Sequence, residues 1–483
     1  MIMKKIKILI VLLTLFNLGV NAQNEIDALR YSNITFGGSA RYLGLSGACG
    51  ALGADFSTLS TNPAGLGVFR SSEFSFSPSI YTSKTSSTFL EKTSGDIKYN
   101  FNFGDIGFIS SGKLKKSYDE TIGWKYVNFG FGVNRLANFN NRYLIEGNNL
   151  QSSLITDYLA RAKGKSIDDL NPFDTQLAYD AYLINPIDSL GNYSSAVPVN
   201  GGVKQSKSIT TSGSMNEIVI SLAGNYNDQF YIGGTIGFPI IRYYEQSTYR
   251  EVDIDTISTF KSLSLNEDIS TVGSGVNFKL GMIFKPVKFI RIGAAVHTPT
   301  FFTLKDNYSR TLSSEFDDGK SYLSNSPNGK FDYELNTPMR LIGSIGFIIG
   351  EFGLISADYE FIDYSEARLR SNNYKFFDEN DAIQSNYRSQ SNIRVGAEVR
   401  LEPITLRGGY AIYGSPYNTG VNDGKKTSMS FGIGIREKEY FMDVAYVYSK
   451  ASENYYLYSP LLVKPVANTL TSNNIMLTLG FKF

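Results

Sequence analysis

One histidine, one cysteine and one tryptophan occur among 483 residues. A single histidine rules out a His-dependent catalytic triad and a His-rich metal site within this chain. A single cysteine, Cys49, rules out an internal disulfide. Its small, apolar neighbours mark a packed thiol, and its distance from the amino terminus excludes lipid attachment there. The net charge of +1 gives no electrostatic case for nucleic acid. After residue 20 no apolar run reaches the about 20 residues that a spanning helix needs. Acidic stretches at 315–319 and 378–381 lack regular calcium-ligand spacing and read as solvated loops. No enzyme, no cofactor and no metal is expected.

What is present is aromatic and glycine-rich: 33 Phe, 32 Tyr and 45 Gly. Aromatic girdles mark outer-membrane barrels, and glycine eases strand bending. The mean hydropathy of -0.15 is compatible with this, because barrel strands alternate and average out like a soluble protein. Lys4, Lys5 and Lys7 precede an apolar run at 8–20 that closes on Val20, Asn21 and Ala22. Basic, then apolar, then small residues read as a signal peptide over 1–22, removed to leave Gln23 first.

Strict alternation carries the rest. Ile393, Val395, Ala397, Val399 and Leu401 share one face; Arg394, Gly396, Glu398 and Arg400 share the other. Ile290, Ile292, Ala294 and Val296 oppose Arg291, Gly293, Ala295 and His297 in the same way. About fourteen such strands are predicted, the first two at 73–83 and 98–112. Short connections, as at 225–229, 285–288, 350–351 and 402–403, alternate with long ones at 141–213, 250–269, 308–336, 370–387 and 453–470. Short periplasmic turns against long external loops is the outer-membrane pattern. An even strand number places both chain ends in the periplasm. Within the 141–213 insertion, 150–162 fits a short amphipathic helix with Leu154, Ile155, Tyr158 and Leu159 on one face.

Ahead of the strands lies a stretch of another kind, residues 37–69, rich in Gly, Ala and Ser. Small residues let backbone pack close to backbone, so this segment reads as a plug inside a cavity that the strands supply. Gly44, Leu45, Ser46, Gly47 and Ala48, then Ala54 and Asp55, then Asn62, Pro63, Ala64, Gly65 and Leu66, resemble the amino-terminal hatch of the FadL/TodX family. The similarity continues in order through 291–300, Thr337 and Pro338, 357–365, 394–398 and 407–417. It departs at the polar 141–213 insertion.

The fold class expected is all-β: a transmembrane antiparallel barrel of about fourteen strands over 73–483, with an N-terminal hatch over 23–72 plugging its lumen. The resemblance implies an outer-membrane channel of a Gram-negative bacterium for hydrophobic small molecules such as long-chain fatty acids, gated by the hatch. It implies as partners a hydrophobic ligand or lipid, outer-membrane lipid, and the barrel-assembly machinery during biogenesis. Leu43, Leu45, Phe56, Leu59, Leu66 and Phe69 are the candidate ligand pocket, or else core against the wall. Asn62, Pro63 and Ala64 are the candidate gating turn, since Pro63 fixes its own φ and restricts Asn62. Arg291, Asp358, Glu360, Arg394, Glu398, Arg400, Arg407 and Asp443 fall on lumen faces, as a polar cage for the plug or as ordinary cross-strand pairing. His297 is a pH-sensitive lumen group or is bonded to loop backbone. The alternative function is a docking or scaffold subunit of an outer-membrane secretion or assembly complex, meeting another outer-membrane protein through 141–213.

The last strand puts Ile475, Leu477, Leu479, Phe481 and Phe483 on one face. With Phe481 and Phe483 it resembles the signal read during barrel assembly. Phe483→Ala is expected to lower barrel insertion while export continues; unchanged heat-modifiable migration and surface yield would count against that reading.

Overall fold

The computed structural model describes residues 24–35, 37–114, 123–198, 202–254, 257 and 259–483. The signal-peptide expectation for 1–22 lies outside them. Fourteen antiparallel strands close into a barrel. They are β1 (Glu73–Phe89), β2 (Lys92–Lys113), β3 (Trp124–Asn138, continued by Asn141–Asn149), β4 (Val203–Tyr226), β5 (Phe230–Asp253), β6 (Phe260–Val287) and β7 (Ile290–His297, continued by Phe301–Phe316). Then come β8 (Gly329–Asn336, continued by Arg340–Ile349), β9 (Gly353–Asp363), β10 (Ser389–Leu401), β11 (Ile404–Tyr413), β12 (Lys426–Arg436), β13 (Tyr440–Tyr455) and β14 (Val466–Lys482). Each pairs with the next, and β14 returns to β1 with Glu73 opposite Lys482.

Alternation sets the two faces. On β10, Ile393, Val395, Val399 and Leu401 are exposed to the outside, whereas Arg394 and Glu398 are buried within. No helix among the described residues is long and apolar enough to span a membrane; the strands carry the apolar band.

Several boundaries differ from expectation, mostly at the loop end. β1 and β2 run on to Phe89 and Lys92, joined by Leu90 and Glu91, both at positive φ (45° and 68°). That is a two-residue hairpin turn whose twist suits the strands. The long connections read at 141–213, 250–269 and 308–336 are in large part strand. A tilted spanning strand needs about 9–11 residues, so most of the 28 residues of β6 stand clear of the apolar band. There neither face meets lipid, and the alternation that marks a strand in sequence fades. The insertion proper is therefore 150–202. It holds two helices, α3 (Leu154–Ala162) and α4 (Thr175–Asp180), and a small hairpin. Helix α3 starts at Leu154 because Ser153 caps it, and Leu150 stays exposed.

Thr298, Pro299 and Thr300 interrupt β7 between its two parts. Proline cannot donate to a ladder. The facing interruption at Thr337 and Pro338 of β8 bonds across it, with Thr337 N donating to Thr300 O at 3.0 Å.

Candidate functional site

The amino-terminal segment begins with helix α1 (Glu25–Ser32), capped by the Asn24 side chain. After it come α2 (Ala40–Gly44) and two short 3-10 turns, Phe56–Ser60 and Pro63–Val68. Its contacts run round the inner wall from β2 to β14. Glycines of the wall make them possible. A Cβ at Gly107 would meet the Phe56 ring at 2.2 Å; one at Gly293 would meet Gly50 O at 2.6 Å. At Gly396 it would meet Leu45 O at 2.7 Å, and at Gly281 the Asn62 side chain at 1.9 Å. Composition suggested glycine for strand bending. Here its use is as seats, where the segment's backbone touches bare wall.

Asn62 does more than hold a turn. Its Oδ1 accepts from Ala64 N at 3.2 Å, while Nδ2 donates to Gly50 O at 2.6 Å and to Met282 O of β6 at 3.2 Å. Pro63 and Ala64 follow as the first residues of the second 3-10 turn, both buried. This turn lies within the segment, and the hand-over to β1 comes later, at Arg70 and Ser72. His297 Nε2 lies 2.7 Å from Thr61 O, a carbonyl of the inner segment and not of a loop. Cys49 is fully buried, and burial pushes its thiol pKa upward, which keeps it inert.

The lumen-face charges form two buried groups around this segment. Near the turn end, Arg407 of β11 bonds Glu398 of β10 at 2.8 Å and Asp443 of β13 at 2.5 Å. Arg41 of α2 joins at 3.5 Å from Glu398 and 3.8 Å from Asp55. Arg400 pairs with Glu398 at 3.0 Å, and Arg291 donates to Leu52 O at 2.5 Å. In the second group Arg394 and Arg340 share Glu360, at 2.7 and 2.8 Å, and Asp358 accepts from Gly50 N at 3.0 Å. A further buried pair, Lys279 and Glu217, takes Ser60 as donor. Sequence reasoning missed Arg340, Lys279, Glu217 and Arg41. The first three sit in phase with inward residues of their strands, a signal that alternation could have given. Arg41 sits in a five-residue helix with no periodicity to read.

Two chambers flank the segment. The outer one, about 870 Å³, is bounded by α1, by the loop-end halves of the strands and by Tyr42, Leu43 and Ser46. The inner one, about 750 Å³, opens among the turn residues Glu402, Pro403, Glu437 and Lys438 and is bounded above by Arg41, Leu52 and Gly53. Adjacent residues of one short helix thus face opposite chambers. Of the six candidate pocket residues only Leu43 borders the outer chamber. Phe56, Leu59, Leu66 and Phe69 pack with Ile109, Val219 and Ala223 of the wall, and Leu45 packs with Tyr42, Cys49 and Leu354. They are core, as apolar side chains on a segment pressed against a wall must be. Helix α1 corrects a second expectation. Glu25 lies beside Tyr387 and helix α5 (Phe377–Asn386), so this end of the segment is at the loop end of the barrel. The carboxyl end, with exposed Phe481 and with Phe483 stacked on Phe108, is at the turn end.

Between β2 and β3 the wall has a seam. The ladder joins them from Lys113 opposite Tyr126 up to Asp105 opposite Asn134, and stops. Beyond it β3 stays with β4, while β2 stays with β1. Farther up, Lys92 and Ser94 of β2 bond Glu146 of β3 at 2.9 and 3.2 Å, and Lys98 Nζ donates to Thr211 O of β4 at 2.6 Å; nearest the end of the ladder, Arg135 and the inner segment bridge the freed edges. Arg135 reaches across, its Nε donating to Phe103 O at 2.9 Å and its NH1 to Asn102 Oδ1 at 2.7 Å. Thr35 N and Gly37 N of the inner segment donate to Leu136 O and Arg135 O, at 2.9 and 2.8 Å. Asn102, Gly104, Arg135 and Ala137 border the outer chamber, and Tyr99, Phe101 and Phe103 stand exposed on the lipid side.

A closed fourteen-strand barrel with an inner segment and a β2–β3 seam can be compared with solved structures. It is similar to a FadL homologue of Pseudomonas aeruginosa, with 12% identity over 93% of this chain and 99% of that one, TM-score 0.56. The fold is that of the FadL and TodX channels. The toluene transporter TodX of Pseudomonas putida matches with 12% identity over 94% and 100% of the two chains, TM-score 0.52. TbuX, the toluene transporter of Ralstonia pickettii, matches with 15% identity over 92% and 98%, TM-score 0.50. No family profile and no curated protein sequence matches the chain. Among the described residues no group of three or more His, Cys, Asp or Glu is placed to hold a metal.

Arg407→Ala would strand Asp443 and part of Glu398 inside the FadL-like barrel. Removing one partner of such a pair costs about 3–5 kcal/mol. The expected result is a lower melting temperature of the folded band in heat-modifiable electrophoresis, with Arg407→Met plus Asp443→Leu recovering most of it. Equal melting of Arg407→Ala and the parent would show that this group does not hold the barrel.

Proposed function

We propose that this protein is an outer-membrane channel for hydrophobic small molecules, with passage controlled by the amino-terminal plug. The observation that carries this reading is the β2–β3 seam. A solute partitioned into the membrane meets exposed Tyr99, Phe101 and Phe103 on one side of the seam and a chamber of about 870 Å³ on the other. A water-filled pore does not attract a hydrophobic solute, but burying its surface does, at about 25 cal/mol per Å². Among the similar structures are two toluene transporters and a monoaromatic hydrocarbon channel, which agrees with the class. Long-chain fatty acids are the finer substrate that the sequence resemblance implies.

Movement of the plug at two places joins the path. Thr35 and Gly37 leave the β3 edge, which frees the seam; α2 shifts, which joins the two chambers. The plug can shift because its ties are hydrogen bonds and ion pairs to a wall that keeps its own ladder. The scaffold reading gains no observation of its own. The 150–202 insertion turns its apolar face to the barrel mouth: Leu154, Ile155, Tyr158 and Leu177 pack with Phe89, Tyr249, Leu265 and Leu312. Glu251 of β5 accepts from Leu154 N at the start of α3. An insertion seated in this way acts as a lid.

Arg135→Ala removes the two hydrogen bonds that this side chain makes across the seam. Each is worth about 1 kcal/mol, so cells carrying the variant should take up a labelled hydrophobic probe up to roughly thirtyfold faster at equal surface level. Uptake unchanged from the parent would remove the seam from the path.

A further inference from the structure

The outward faces of β13, β14, β1 and β2 form an ordered series of rungs. Tyr446, Ile475, Ile80 and Phe101 lie side by side. One rung nearer the loop end come Tyr448, Asn473, Thr82 and Tyr99. The tyrosines belong to the aromatic girdle that marks a membrane surface. On the next rung Thr471 of β14 has Lys450 on one side and Lys84 on the other. Both lysines are exposed, while Ser449 and Ser83 beside them are buried, so the lysine side chains point away from the lumen. Their Cα atoms stand about 10 Å apart, two strand spacings. Among the described residues neither has a carboxylate partner. Above them lie Ser452, Thr469 and Ser86. From the tyrosine rungs up to Asn454, Ala467 and Thr88, no described residue at an outward position of these four strands is a carboxylate.

Read away from the apolar band, this face is aromatic, then cationic, then hydroxylic. A phosphorylated glycolipid has matching layers in the same order: acyl chains, phosphate, sugar. We propose that Lys84 and Lys450 bind the phosphate of such a glycolipid in the leaflet at the loop end of the barrel. Its acyl chains lie on Tyr446, Ile475 and Ile80, and its sugar lies against Thr471, Thr469 and Ser86. Ammonium groups give phosphate charge-assisted hydrogen bonds, and two long side chains converge on one group from this spacing. Serine and threonine hydroxyls both donate and accept, as sugar hydroxyls do. A glycerophospholipid would meet the lysines but leave the hydroxyl rung uncovered. Arg242 and Lys305 flank Val272 of β6 in the same way, but there Asp332 lies 4.0 Å from Lys305. The inference needs a barrel in an outer membrane and stands apart from the channel reading.

The test is native mass spectrometry of the protein purified in an amine-oxide detergent and titrated with lipid A, dephosphorylated lipid A and phosphatidylglycerol. Lipid A is expected to bind at least tenfold more tightly than either of the others. Lys84→Gln and Lys450→Gln should each weaken it about fivefold, and the double variant about thirtyfold. Lys305→Gln should leave it unchanged. All these side chains are on the outer surface, so the variants should keep the parent's heat-modifiable migration. Phosphatidylglycerol binding as tightly as lipid A would assign the rung to any anionic lipid and overturn the proposal. So would dephosphorylated lipid A binding equally well, a double variant without effect, or an equal loss in Lys305→Gln.

Discussion

Above Asp105 and Asn134 the ladder between β2 and β3 stops. Backbone groups freed at membrane depth must be satisfied by something, because lipid cannot do it. Here a side chain and a piece of the inner segment do it: Arg135 from β3, and Thr35 and Gly37 from inside. A closed barrel with a full ladder needs no such help, and its wall is impermeable. Leaving one stretch unlinked creates a weak place in the wall and ties its closure to the position of the inner segment. The seam, the segment and the outer chamber form one device on this account, and the remaining twelve strands hold it in register.

The same logic explains how the segment is seated. Its few apolar side chains go into the wall at Ile109, Val219, Ala223 and Leu354. Elsewhere it touches glycine backbone, or bonds to Asp358, Glu217, Thr478 and Ser430. The buried ion pairs around Glu398 and Glu360 cost desolvation, which their mutual attraction and their multiple hydrogen bonds offset. Polar ties of this kind are directional. They fix one position of the segment closely, and they exchange for water when it moves, which a greasy interface would resist.

The barrel was legible from sequence wherever a strand faces lipid on one side and the lumen on the other. Ile393 to Leu401 alternates because Arg394 and Glu398 face the lumen, where they pair with Glu360 and with Arg407 and Arg41, while Val395 and Val399 meet lipid. Beyond the apolar band the contrast disappears, so Lys84 to Ile97 reads as loop though it is ladder. The small-residue stretch at 37–69 announced something packed backbone to backbone, and the wall glycines that receive it were visible only as composition. The six apolar residues chosen for a pocket were chosen because they were apolar, and that property sends five of them into the core and leaves only Leu43 at the outer chamber. The tyrosines and asparagines that border the outer chamber are spread over seven strands and several loops, with no local spacing to mark them. Arg135 reads in sequence as one more polar residue of β3; its importance comes from a ladder that ends beside it.

The account's central claim is that the inner segment must leave the β3 edge before anything passes. A Cβ on Gly37 would stand 3.1 Å from that of Arg135, within a few tenths of an ångström of disulfide reach. Gly37→Cys plus Arg135→Cys can therefore be locked by oxidation and released by a reductant, and native Cys49 is too deeply buried to interfere. The measurement is uptake of a labelled hydrophobic probe by cells carrying the double variant, oxidised and then reduced. The account predicts uptake at the level of cells lacking the protein when locked, and full recovery on reduction. Locked protein that passes the probe as fast as reduced protein would contradict it.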